Sequence, residues 1–84
     1  MENFPFKKET YNIIGVCMEV QKILGFGFSE AVYKDAMQIE FIENGIPNDK
    51  ETELKVCYKG QLLKHKFFAD FICYENIIVE VKSC

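Results

Sequence analysis

The chain has 84 residues, a net charge of −3 and about half its residues hydrophobic, including eight Phe and four Tyr. That length allows a single domain over residues 1–84, with a small core and marginal stability, and the composition is globular rather than disordered. The acidic balance argues against a protein that coats nucleic acid by bulk charge, though it leaves room for a local basic patch.

A helix is predicted from about Lys8 to Leu24, just after Pro5, where proline is tolerated. Tyr11, Ile14, Met18 and Gln21 form one row along it, and Ile13, Val16, Cys17, Val20 and Leu24 form a neighbouring apolar row. So wide an apolar arc should be well covered by the rest of the fold. Gly25-Phe26-Gly27-Phe28-Ser29 breaks the helix, with Gly25 suited to a left-handed cap and Ser29 to an N-cap. A second helix then runs to about Asn44, with Val32, Tyr33, Ala36, Met37, Ile39 and Phe41 as its buried side. Asn44-Gly45 followed by Pro47 stops it.

Beyond Pro47 the period shortens to two. Glu53 to Tyr58 alternates polar and apolar and reads as a strand, Lys59-Gly60 as a turn, and Leu62 to Cys73 as a second strand, bent near Lys64-His65-Lys66. Tyr74-Glu75-Asn76 is a second turn, and Ile77 to Lys82 a β-branched third strand. The expected class is α+β: two N-terminal helices followed by a three-stranded antiparallel meander.

The four cysteines, Cys17, Cys57, Cys73 and Cys84, form no C-x-x-C pair, and the single His65 does not complete a zinc site. Free buried thiols in a reducing compartment are expected. With no leader-like segment and no apolar run near the ~20 residues that cross a bilayer, the expected location is cytoplasmic, away from membranes.

The last hairpin carries the chemistry. A three-residue loop over Tyr74, Glu75 and Asn76 pairs Cys73 with Ile77, and counting back pairs Asp70 with Glu80. Alternation then sets Ile72, Ile78 and Lys82 on the carboxylate face, and Phe71, Cys73, Ile77, Val79 and Val81 toward the core. Two facing carboxylates repel, and a divalent cation such as Mg²⁺ offsets this with one or two carboxylates, waters and a substrate phosphate. Lys82 approaches the same spot. A solvated face with a Glu80–Lys82 or Asp70–Lys82 ion pair is the other reading, and a two-residue loop would place Asp70 on the side of Val79 and abolish the site.

Gly27-Phe28-Ser29-Glu30-Ala31-Val32-Tyr33 matches G-x-x-E-x-x-Y, and with Tyr58-Lys59-Gly60, Ala69-Asp70-Phe71 and Ile78-Val79-Glu80-Val81-Lys82 the chain resembles the GxxExxY family, grouped with the PD-(D/E)XK nuclease superfamily. The resemblance implies a truncated restriction-endonuclease-like core and a Mg²⁺- or Mn²⁺-dependent nuclease acting on DNA or RNA. It assigns Asp70 and Glu80 as metal ligands, the Val81 carbonyl as a third oxygen and Lys82 as the catalytic lysine. It adds Glu30 as an extra acid, which reads equally as a helix-dipole acid. Tyr33 reads as core packing and Gly25 with Gly27 as a helix-to-helix turn. The family continues into a crossover helix with a Gln-containing motif and a further strand, whereas this chain stops at Cys84. The third strand is therefore expected to present an open edge and to pair with another copy. A non-catalytic binding or assembly module, or an inactive fragment stable as an oligomer, is the alternative. Lys50, Lys55, Lys59, Lys64, His65 and Lys66 concentrate on the first hairpin. They read as solubilising charge, or as phosphate contacts if they face the carboxylates.

Overall fold

The computed structural model describes residues 5–82, so Cys84 lies outside the described residues. Helix α1 spans Lys7–Leu24 and α2 spans Glu30–Glu43. Strands follow at Asn48–Leu54 (β1), Cys57–Tyr58 (β2), Gln61–Leu62 (β3), Phe67–Cys73 (β4) and Ile77–Val79 (β5). The architecture is α+β, two helices followed by antiparallel strands.

On α1, Ile13, Val16 and Val20 recur at helical spacing and are buried, with Leu24 packed beside them. The second row is not covered: Tyr11, Ile14 and Met18 are exposed, as is Cys17. The packed cluster meets α1 along the Ile13–Val20 row, which leaves the rest of the arc in solvent. Ser29 caps α2 as expected, its Oγ accepting the Val32 N–H at 3.4 Å. Met37 and Phe41 are buried on α2 and Tyr33 and Ala36 pack against the core, but Val32 and Ile39 are exposed. Tyr33 donates its hydroxyl to the Gly25 carbonyl at 2.6 Å, tying α2 to the inter-helix turn.

The main sheet has the order β1-β4-β5, all antiparallel, and β2-β3 is a separate two-stranded hairpin. The strand expected over Glu53–Tyr58 is thus two pieces: β1 starts earlier, at Asn48, and ends at Leu54. Likewise the expected Leu62–Cys73 strand is broken at Lys64-His65, where the chain leaves the hairpin and joins the main sheet. The core lies between the helices and one sheet face. Phe41 and Phe71 meet edge to face at 5.1 Å, and Ala69, Phe71 and Cys73 are wholly buried. Cys73 is a free thiol that burial pushes up to a pKa of about 11, while Cys57 is exposed, so only part of the buried-thiol expectation holds.

Candidate active site

β4 and β5 pair Cys73↔Ile77, Ile72↔Ile78 and Phe71↔Val79 around the turn Tyr74–Asn76. Tyr74 and Glu75 take positive φ values of 55° and 64° to close that turn. The register is the one that brings Asp70 opposite Glu80. The regular ladder nevertheless stops at Val79, short of the expected Lys82, because the two acids take over the hydrogen bonding. The Asp70 N–H donates to Glu80 Oε2 at 3.1 Å, and the Val81 N–H donates to Asp70 Oδ2 at 2.7 Å. Each carboxylate is held by the other strand's backbone.

The sheet is also interrupted on the other side of Asp70. β1 pairs Lys50↔Phe71 and Thr52↔Ala69, and the pairing skips Glu51, the residue facing Asp70. Glu51 has φ 54°, a left-handed conformation that costs a non-glycine residue roughly 1 kcal/mol. Asp70 is therefore a node at which the sheet opens toward both neighbours.

Into this opening α2 sends Lys34. Its ammonium lies 3.0 Å from Glu51 Oε2 and 3.4 Å from Asp70 Oδ1, and its side chain is largely covered. Glu30 stands one turn earlier on the same side of α2 and is exposed. From α2 it is Lys34 that reaches Asp70. Lys82 is exposed, two residues beyond Glu80, and its charge reaches Asp70.

These contacts set the electrostatics. The Val81 N–H holds the Asp70 carboxyl below the usual carboxylate range, aided by Lys34 and Lys82 and opposed by partial burial. The hydrogen bond to Glu51 raises Lys34, aided by Asp70, so both groups are charged at neutral pH. A cleft of about 210 Å³ adjoins the site between the helices and the end of β5, and Phe26, Tyr33, Met37, Glu80 and Lys82 help line it.

The donor set suits a hard cation, since Mg²⁺ needs one or two carboxylates and fills its remaining positions with water and phosphate oxygens. Asp70, Glu80 and the Val81 carbonyl are the residues that would hold it. Among the described residues no three His, Cys, Asp or Glu side chains form a ready-made metal cage. Asp70 already accepts from Val81 and Lys34, and its two oxygens keep further lone pairs that a cation could use.

Lys34 and Glu51 were not anticipated from sequence. The one available signal was the four-residue step from Glu30 to Lys34, since the strand that carries Glu51 is not legible in the sequence.

A model of the PD-(D/E)XK nuclease superfamily matches residues 7–84, and the chain belongs to that superfamily. Comparison with curated proteins and with solved structures gives no match. Among the described residues no helix is long and apolar enough to cross a membrane.

Proposed function

We propose that this chain carries the metal-binding part of a Mg²⁺- or Mn²⁺-dependent nuclease of the GxxExxY kind, hydrolysing phosphodiester bonds in DNA or RNA. The observation that carries the reading is the Asp70–Glu80 pair, locked across the β4–β5 register with Lys82 beside it, in a chain of the nuclease superfamily. A bound divalent cation supplies charge neutralisation at the phosphate and a more acidic attacking water. Asp70 and Glu80 hold its position through their backbone anchors. Lys82 presents an ammonium where charge builds on the phosphoryl oxygens, and can orient the water. Glu30, one turn from Lys34, is the further acid assigned by resemblance.

Asp70→Ala, Glu80→Ala and Lys82→Ala should each reduce metal-dependent cleavage of a labelled oligonucleotide by about 100-fold or more. Cleavage retained in any of them, with the fold intact by circular dichroism, removes that residue's role and with it the assignment.

A second reading is favoured by a separate observation. The row Tyr11, Ile14 and Met18 on α1 is exposed and apolar, and β5 is an edge strand of β-branched residues. This supports an assembly module that pairs with a second copy through the β5 edge. Light scattering tests it: a dimer supports it, and a monodisperse monomer at tens of micromolar or more removes it.

A further inference from the structure

Residues 55–66 lie outside the main sheet, and Phe67 and Phe68 join it only through β1. β2 and β3 pair only with each other, Cys57↔Leu62 and Tyr58↔Gln61, and the Leu63 N–H closes the base on the Val56 carbonyl at 2.8 Å. Every residue from Lys55 to Phe68 is exposed. The arm contains Lys55, Lys59, Lys64, His65 and Lys66 and no acid, within a chain whose net charge is −3. Lys66 pairs with Glu53 at 3.2 Å; Lys55, Lys59 and Lys64 make no ion pair among the described residues. Tyr58 and Phe68 each expose about 60% of their surface, and the Lys59 ammonium lies 5.6 Å from the centre of the Tyr58 ring.

Solubility alone calls for charges of both signs and few exposed aromatic rings. An acid-free stretch that sets aromatic rings among lysines has the composition of a single-strand platform. There, cations track the phosphates and rings stack on bases. The arm also leads to the site. Phe68 pairs with Glu53 at its root, and Asp70 follows two residues later on the same strand face, about 7 Å further along.

We propose that residues 55–68 bind single-stranded nucleic acid, with Lys55, Lys59 and Lys64 on its phosphates and Tyr58 and Phe68 stacked on its bases, and so bring it to Asp70. The destination rests on the nuclease reading; the binding does not.

The test is fluorescence anisotropy with a labelled oligothymidylate of about 16 nucleotides and a duplex of equal length, in chelator so that no cleavage occurs. Binding should favour the single strand by about tenfold or more. The triple substitution K55Q/K59Q/K64Q should lower the slope of log affinity against log salt by about 2. Y58A and F68A should each weaken binding by about tenfold while leaving that slope in place. Equal affinity for duplex, no binding at low salt, or binding indifferent to these substitutions overturns the inference. Arm-dependent binding by a chain that cleaves nothing with Mg²⁺ or Mn²⁺ leaves the platform standing and removes the nuclease reading. Metal-dependent cleavage that the arm substitutions do not diminish does the reverse.

Discussion

The two ends of β4 sit in opposite environments. Phe67 and Phe68, at the root of the arm, are 40% and 60% exposed, whereas Phe71 and Cys73, a few residues on, are fully buried. β1 runs alongside throughout, but β5 pairs only with the Phe71–Cys73 end. The layer above differs too: Phe41 of α2 seats on Phe71, whereas Phe68 lies on the opposite sheet face. Asp70 lies at the boundary, with Phe71 anchoring one side and Phe68 open on the other. The core end thus supplies stability, and the arm end offers aromatic and basic groups to solvent.

The largest expected effect comes from breaking that contrast directly. Phe71→Ala should cost about 3–5 kcal/mol, comparable with the whole stability of a small domain, and remove the cooperative urea transition. Phe68→Ala, three residues away, should shift stability by no more than about 0.5 kcal/mol. Similar losses for both would end the distinction between the two halves of β4.

Next in size is the acid dependence of the boundary residue. The folded pKa of Asp70 is depressed, so its contribution is present above the unfolded value of about 3.9 and is lost as pH falls through the folded value. Asp70→Asn should lower stability by on the order of 1 kcal/mol at pH 7, allowing for solvent screening. The gap from the unsubstituted chain should close below about pH 4, read from urea midpoints across that range. A constant gap would mean that packing, not charge, is lost.

A smaller effect is expected from Lys34→Met. It removes one of the causes that depress Asp70, so the acid limb should move to higher pH, with a smaller stability change than Asp70→Asn produces. An unmoved limb would show that the Lys34–Asp70 contact carries no weight.

The smallest intervention, alkylation of native thiols, sharpens the same comparison. Cys57 on the exposed arm should react with iodoacetamide. Cys73, buried and with its pKa pushed up to about 11, should stay unmodified at neutral pH until the chain unfolds. Equal labelling of the two would place Cys73 outside a closed core.

The β4–β5 register was legible because strand alternation leaves little choice. One register alone sends Phe71, Cys73 and Val79 inward together, and the tight Tyr74–Asn76 turn fits it. The Ser29 cap and the inner row of α1 were legible for equally local reasons. β1 was not, since Asn48–Leu54 holds a single apolar residue and becomes a strand through its pairing with β4. The bend at Lys64-His65 was legible, but not that one apparent strand divides there between two sheets. The exposed Val32 and Ile39 mark the limit of helical periodicity, which finds apolar positions but not how far the covering layer extends. In the site, Asp70 and Glu80 were readable from one hairpin. Lys34 and Glu51 arrive from α2 and β1, and only the packing of those elements on β4 brings their charges to Asp70.

Calorimetric titration of the folded chain with Mn²⁺ tests the metal-site claim most directly. The account predicts saturable binding by the unsubstituted protein that disappears in Asp70→Asn and in Glu80→Gln, all three keeping their far-ultraviolet spectrum and a thermal transition. Undiminished binding in the variants, or none in the unsubstituted protein, would contradict it.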